Sequence, residues 1–393
     1  MSAFPRVILK KGKEKPVLRG HPWIFSGAVE KIEGDVSPGD RGEVYSKDRQ
    51  FLGIGHLNPN SQITLRVLTR KAEEIDSDFF KERIFKGAAL RERELKGKTN
   101  AYRLVNGEGD FLPGLIIDRY GDTFVLQCLT AGMDRLKNLV VEIMVKHFQP
   151  QSIYERSDVA TRREEGLPES RGLLSGNEVP DRIEIEEYGC RFKVNVKTGQ
   201  KTGFYLDQRE NRFSLQGISQ GKKILDCFSY TGGFAIHTGF WGAKEMTLVD
   251  SSEEALSTAE EHFNLNHLEE IPHQTIRGDA FEVMRTLEPD YDVIILDPPP
   301  FAKKKGHLMS ASRGYKDLNL QAFRLLKKEG FLITFSCSQH MSWDLFQKVV
   351  FSAALDAGKD VQLLGRKGHP LDHPVNLCHP EGEYLRGLVC RVL

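Results

Sequence analysis

No Cys-x-x-Cys pair occurs in this sequence, and its six cysteines (Cys128, Cys190, Cys227, Cys337, Cys378 and Cys390) are scattered. That spacing argues against a zinc ribbon and against a disulfide framework. No apolar run approaches the roughly 20 residues needed to cross a bilayer, so no membrane partner is expected. The N-terminus lacks the apolar core of a signal peptide, which points to the cytoplasm. Net charge is missing too, since 55 Lys and Arg offset 55 Asp and Glu. There is no internal repeat and no low-complexity tract. What remains, with 39% hydrophobic and 28% charged among 393 residues, is a globular chain long enough for two or three ordinary cores.

The zero balance hides an asymmetry. Residues 1–71 carry 13 Lys and Arg against 7 Asp and Glu, a net of +6, much of it in RVILKKGKEKPVLRGHPW. A basic end with an aromatic nearby suits contact with an RNA backbone, although a solvated, lysine-rich surface has the same composition.

Three regions follow along the chain. Over 1–72, short alternating segments such as QFLGIGHLN and QITLRVLTR, punctuated by Gly and Pro, predict a small β-barrel. KAEEIDSDFFKERIFKGAALRERELKG then reads as a helix capped by Asp76 or Ser77. The region 73–197 is α+β in pattern. It holds a hairpin around Tyr120-Gly121-Asp122, an amphipathic helix MDRLKNLVVEIMVKHF and a strand SIYERS. A polar loop runs through Gly176, and a second hairpin turns at Tyr188-Gly189. From 198 to 393, strands alternate with helices: KKILDCF, EMTLVD, HQTIRGD, YDVIILD, FLITFSC, DVQLLG and YLRGLVCRV. The last two are close together, as an antiparallel edge pair would be. The expected fold class is therefore α/β, with a doubly wound, mostly parallel C-terminal sheet behind two smaller regions.

Ligands in such sheets bind past the carboxyl ends of the strands, and the sequence places unusual residues there. ILDCFSYTGGF sets Gly232 and Gly233 just after the first strand, where glycines let a backbone approach a ligand closely. A plain tight turn would use the same pair. The G-x-G-x-x-G spacing of dinucleotide folds is missing, which disfavours a nicotinamide dehydrogenase. Asp226 ends that strand and could accept from an ammonium group. Asp250 ends the second strand and could accept from ribose hydroxyls. Asp279, followed by Ala280, ends the third, where an adenine edge would lie. Each acid alone is more often a helix cap. Three at successive strand ends beside one Gly-rich turn describe a pocket for a nucleoside with a positive, non-phosphate tail, which S-adenosylmethionine fits better than NAD.

VIILDPPPFAKKKG ends the fourth strand. Asp297 and three prolines make a stiff loop that holds its carboxylate and carbonyls in place. Phe301 could stack on a base, and Lys303, Lys304 and Lys305 could meet phosphates. FLITFSCSQH ends the fifth strand with Cys337 between two serines: either a small packed residue or a thiol aimed into the site.

In order, DCFSYTGGF, VD, GDAF, DPPPF and SCSQH resemble the sequential motifs of class I S-adenosylmethionine-dependent methyltransferases. More narrowly, the whole chain resembles the ribosomal large-subunit RNA cytosine-5 methyltransferases of the RlmI type, with KTGFYLDQRENR and HPEGEYLRG matching further signatures. The resemblance implies a PUA domain over 1–72, that family's α+β domain over 73–197 and the catalytic domain over 198–393. It implies Cys337 as nucleophile at cytosine carbon-6, with Asp297 on the polar edge of the base. Asp226, Phe228, Thr231, Gly232, Gly233, Asp250, Asp279, Ala280 and Phe204 would hold S-adenosylmethionine. Pro298, Pro299, Phe301, Arg209 and Lys303 would face the RNA, with 23S rRNA or a ribosomal particle as partner. A homodimer would suit the family.

Other residues have plainer readings. Cys227 lies in the first motif and is expected to be packed. Asp207, Gln208 and Arg209 could line either the methionine end or the RNA entrance, or else Asp207 caps a helix. His369, His373, Cys378 and His379 fall in a Pro-rich loop rather than a zinc framework, and no metal is expected. Two rivals share much of this pattern: a methyltransferase acting on another base, such as guanine N7, which would not need Cys337, and an RNA-binding assembly factor without activity.

Overall fold

The computed structural model describes residues 4–302 and 305–393. They fall into two compact units. One comprises the described residues within 4–185, 193–206 and 371–382; the other comprises those within 186–192, 207–370 and 383–393.

The first unit holds two sheets. A six-stranded sheet runs in the order Trp23–Phe25, Ile63–Thr69, Phe51–Leu57, Asp40–Tyr45, Arg6–Leu9, Val29–Glu33. A five-stranded sheet runs Ser170–Gly176, Ser152–Ser157, Thr123–Cys128, Leu115–Tyr120, Ala101–Asn106. The expected helix spans Ser77–Leu95, and Asp76 caps it by accepting from the Phe79 amide at 3.0 Å. Its buried face, Phe80, Ile84 and Ala88, packs in one apolar cluster with Ile54 and Leu68 of the first sheet and Leu104 and Leu126 of the second. Burial of that common cluster is what joins the two sheets into one unit.

Two local expectations change. The helix expected over MDRLKNLVVEIMVKHF is broken at Leu136 into Ala131–Arg135 and Lys137–Phe148. The polar stretch expected as loop through Gly176 contains the strand Ser170–Gly176, antiparallel to Ser152–Ser157. It is an edge strand with only partial burial, so its side chains never needed the apolar alternation that marks a strand in sequence.

The second unit is built on seven strands: β1 (Lys223–Cys227), β2 (Glu245–Asp250), β3 (His273–Arg277), β4 (Tyr291–Leu296), β5 (Leu326–Ser336), β6 (Val361–Lys367) and β7 (Arg386–Val392). Their order is β3-β2-β1-β4-β5-β7-β6. Strands β1 to β5 are parallel; β7 is antiparallel to both neighbours. The chain reverses direction across the sheet between β1 and β4, and that switch point is where such sheets open a ligand crevice. The main helices are α1 (Gly233–Phe240), α2 (Glu253–Leu265), α3 (Leu308–Leu325) and α4 (Trp343–Asp356). A large core of alternate strand residues, Leu225, Cys227, Ile294, Leu296 and Leu332, packs with Tyr315 and Leu318 of α3 and Phe346 of α4.

Candidate active site

Register decides which residues can meet. Asp226 pairs with Ile295, and Ile295 with Ile333; Cys227 pairs with Leu296, and Leu296 with Thr334. Side chains alternate along a strand. Leu225, Cys227, Ile294, Leu296 and Leu332 belong to the core on the α3 and α4 side. By the same alternation Asp226, Ile295 and Ile333 face the other way. Carrying the step of two past the strand ends puts Asp297 and Cys337 on that same face.

The loop after β1 is held in a demanding conformation. Phe228 and Tyr230 have φ of 63° and 49°, and Gly232 has 76°. For a bulky L-residue the left-handed region costs about 1–2 kcal/mol. Hydrogen bonds hold the loop there: the amides of Phe228 and Ser229 donate to Val249 O at 2.8 and 3.1 Å, and that of Tyr230 to Asp250 Oδ2 at 2.8 Å. A Cβ on Gly232 would lie 3.0 Å from the Ala259 Cβ of α2, so this glycine answers to both its φ and its space. Thr231 is buried, and its carbonyl accepts from His262 Nδ1 at 2.8 Å.

The three strand-end acids have different local duties. Asp226 is only 1% exposed; Oδ2 accepts from the Ala235 amide of α1 at 3.2 Å, and Oδ1 is buried with no hydrogen-bond partner among the described residues. Burial, and then the neighbouring charge of Asp297, hold its carboxyl well above the usual range. Asp250 is no helix cap, because Ser252 caps α2; its oxygens accept from the amides of Tyr230 and Ser252. Asp279 does cap, accepting from the Phe281 amide at 2.7 Å in front of buried Ala280.

The Pro-rich loop begins with the Asp297 amide donating to Cys227 O at 3.4 Å. Pro298 is buried, and its carbonyl lies 3.6 Å from Cys337 Sγ. Cys337 is partly exposed, and Pro299 is open. The serines flanking the thiol face the core. Ser336 Oγ accepts from the Ser338 amide at 3.4 Å, and Ser338 Oγ accepts from the Ala302 amide at 3.2 Å. Fully buried Tyr315 of α3 completes this clasp, its hydroxyl 3.0 Å from Ser338 Oγ and its ring 4.7 Å from that of Phe301. Phe301 is half-buried between Tyr315 and Phe281. Sequence reading missed Tyr315 and Ser338. The available signal was a tyrosine in the apolar stripe Ala311, Tyr315, Leu318, Ala322, where its hydroxyl needs a buried partner.

The remaining expected residues are spread more widely. Cys227 is packed in the core, and burial raises its thiol well above the usual range. Arg209 is fully buried, with Nε donating to Glu210 at 3.2 Å, and Asp207 accepts from the Tyr384 hydroxyl at 2.7 Å. Gln208 is buried and accepts from Asn211 at 2.6 Å. His369 Nε2 accepts from the Leu385 amide at 3.1 Å. Phe204 belongs to the first unit, buried, with its amide donating to the Tyr120 hydroxyl at 3.2 Å. His373, Cys378 and His379 also belong to that unit, where the ring of His379 lies 4.3 Å from that of Trp23. Among the described residues no three His, Cys, Asp or Glu side chains form a metal-binding group. Lys303 and Lys304 lie outside the described residues.

The residues present fit S-adenosylmethionine. The buried oxygen of Asp226, without a hydrogen-bond partner among the described residues, is an acceptor that an ammonium group would satisfy.

A sheet of this order with this loop defines a class I S-adenosylmethionine-dependent methyltransferase. Residues 161–348 match the S-adenosylmethionine-dependent methyltransferase family, and residues 7–70 match the PUA-like domain family. A SAM-dependent methyltransferase from Streptococcus mutans superposes with a TM-score of 0.84 at 25% identity, over 98% of this chain and 100% of that one. A methyltransferase crystallised with SAH superposes with a TM-score of 0.86 at 26% identity, over the same shares of the two chains. The ribosomal RNA large subunit methyltransferase I of Klebsiella pneumoniae (strain 342) is 43% identical across 100% of this chain and 99% of its own length. The chain belongs to the ribosomal RNA large subunit methyltransferase I family.

Proposed function

We propose that this enzyme methylates carbon-5 of a cytosine in large-subunit ribosomal RNA through a covalent adduct at Cys337. In this reading residues 1–72 engage the RNA, 73–197 form an α+β middle domain, and 198–393 carry out the transfer. The observation that carries it is the thiol just past the end of β5, 3.6 Å from the carbonyl of Pro298, the residue that follows Asp297.

Cytosine carbon-5 is a weak nucleophile. The Cys337 thiolate adds to carbon-6, and the ring electrons move toward N3, where Asp297 hydrogen-bonds the polar edge and favours protonation. When bound, S-adenosylmethionine supplies a sulfonium methyl, the electrophile that the enamine-like carbon-5 takes up. Water or hydroxide then removes the carbon-5 proton, and the returning electrons expel the Cys337 thiolate. The base must leave its stack to reach the thiol. Asp226, Phe228, Thr231, Gly232, Gly233, Asp250, Asp279 and Ala280 are proposed to hold the cofactor. Pro298, Pro299, Phe301, Arg209 and Lys303 are proposed on the substrate side.

The test is Cys337→Ala assayed for methyl transfer to rRNA, with RNA carrying 5-fluorocytosine as a trap. The variant should lose transfer and keep S-adenosylmethionine binding, while the wild-type chain should form a denaturation-resistant adduct with the fluorinated RNA. Full activity in Cys337→Ala would remove the covalent route and leave the methylation of another base.

A further inference from the structure

A cavity of about 200 Å³ opens in the first unit, with Gly20, His21, Arg70, Lys71, Arg83 and Phe111 in its lining. Phe111 is the unusual member. It is 56% exposed and has φ of 59°, in the left-handed region that glycine or asparagine normally fills at a helix end. It sits just past the 3-10 turn Gly107–Asp110. Arg83 holds it there from below: one guanidinium nitrogen donates to both Phe111 O and Leu68 O, each at 2.7 Å. The backbone is thus fastened to the strand Ile63–Thr69 while the ring stays in solvent. Neither the exposure nor the backbone angle contributes to folding, and this pairing is typical of ligand clamps.

The charges around the ring point the same way. Arg70 and Lys71 form no ion pair among the described residues, whereas Arg6, Lys31, Lys47 and Arg49 in the same region pair with Glu43, Glu33, Glu30 and Glu33. The one carboxylate in the lining, Glu108, already accepts from Trp23 Nε1 at 2.8 Å. An exposed aromatic face beside unpaired cations recognises a stacked base and its phosphate.

The geometry points to a pocket for one unstacked nucleotide of single-stranded RNA, its base on Phe111 and its phosphate toward Arg70 and Lys71. The pocket belongs to the first unit and Cys337 to the second, and the inference rests on the reading that RNA is the substrate.

The test uses the full chain and a fluorescein-labelled single-stranded RNA oligonucleotide, read by anisotropy. Phe111→Gly should weaken binding about tenfold, since stacking on an aromatic carries that order of affinity. Its melting temperature should hold or rise, because glycine adopts this backbone freely. Phe111→Tyr should bind as wild type. Replacing both Arg70 and Lys71 by Gln should flatten the dependence of log affinity on log salt by about 0.7 for each phosphate no longer neutralised. Equal affinity of Phe111→Gly and wild type overturns the pocket, as does an equal loss in Phe111→Tyr or a failure of the wild type to bind. Adduct formation on fluorinated RNA separates this result from the Cys337 reading. Phe111→Gly should still form the adduct at saturating RNA, whereas failure of the Cys337 reading would abolish it in the wild type as well.

Discussion

Asp226 has a buried carboxylate oxygen with nothing to accept from among the described residues, and a second acid, Asp297, close enough to repel it. Its folded-state carboxyl is raised above the ordinary 3.8. A group raised in this way favours folding when protonated. That contribution is complete below 3.8 and is lost as pH rises through the folded value, so the ionised group opposes folding at neutral pH. Asp226→Asn should therefore melt higher than wild type at pH 7 in scanning calorimetry, by about 2–4 °C for each 1 kcal/mol gained. The same variant should bind S-adenosylmethionine at least about tenfold more weakly by titration calorimetry, a loss of one charge-assisted hydrogen bond. A lower melting temperature would show that Asp226 serves the fold rather than the cofactor. Binding of a cation there should also release protons, so affinity should climb as pH rises. At this scale the sequence showed much. Asp226, Asp297 and Cys337 stand at strand ends that could be read from apolar runs. Their shared face could not, because it follows from the order β1-β4-β5 and its register.

Between elements, the SCS triplet is a small device in which alternate residues do opposite work. Ser336 and Ser338 turn to the core, and the Cys337 thiol turns to the Pro298 carbonyl. Tyr315 links α3 to Ser338, and Ser338 holds the Ala302 amide at the far end of the proline loop. Tyr315→Phe removes one hydroxyl from that clasp, so it should cost about 1 kcal/mol of stability. If the clasp positions the loop, kcat should fall about tenfold with the cofactor Kd unchanged, and alkylation of Cys337 by iodoacetamide should change its pH profile. An unchanged alkylation profile would leave Tyr315 a packing residue.

A second link is the buried triangle of Glu187, Arg212 and His237. It ties the hairpin turning at Tyr188-Gly189 to the helix Arg209–Phe213 and to α1. Burial alone would raise the Glu187 carboxyl, but the Arg212 charge and the hydrogen bonds from His237 and Arg212 outweigh it and hold it at about 2. A depressed carboxyl adds stability above its unfolded value of 4.5, and that stability is lost as pH falls through about 2. Glu187→Gln should be about 3–5 kcal/mol less stable at pH 7. It should also show a shallower loss between pH 4.5 and 2 in urea titrations. None of this was legible in the sequence: the triangle joins residues 25 and 50 positions apart, in two segments read only as a hairpin and a helix start.

Across the whole chain, the expected alternation of strand and helix over 198–393 emerged as the seven-stranded sheet, because buried parallel strands announce themselves as apolar runs. The return of residues 371–382 to the first unit was invisible. It depends on contacts such as the Arg103 amide to Asp372 Oδ2 at 2.9 Å, across 269 residues, and Arg91 to Asp372 O at 2.8 Å. Charge behaves in the same way. The +6 of residues 1–71 is a count, and only the structure sorts the paired cations from the unpaired. Lys11, Lys13 and Lys15 are exposed and form no ion pair among the described residues. With zero net charge overall, a local patch of this kind is where an RNA polyanion would gain most. Changing these three lysines to Glu should raise KM for RNA at least tenfold near physiological salt and flatten its salt dependence. It should leave kcat, melting temperature and S-adenosylmethionine affinity unchanged. If instead KM holds while the salt slope stays steep, the counterions are released elsewhere, and the lysine-rich segment is a solvated surface.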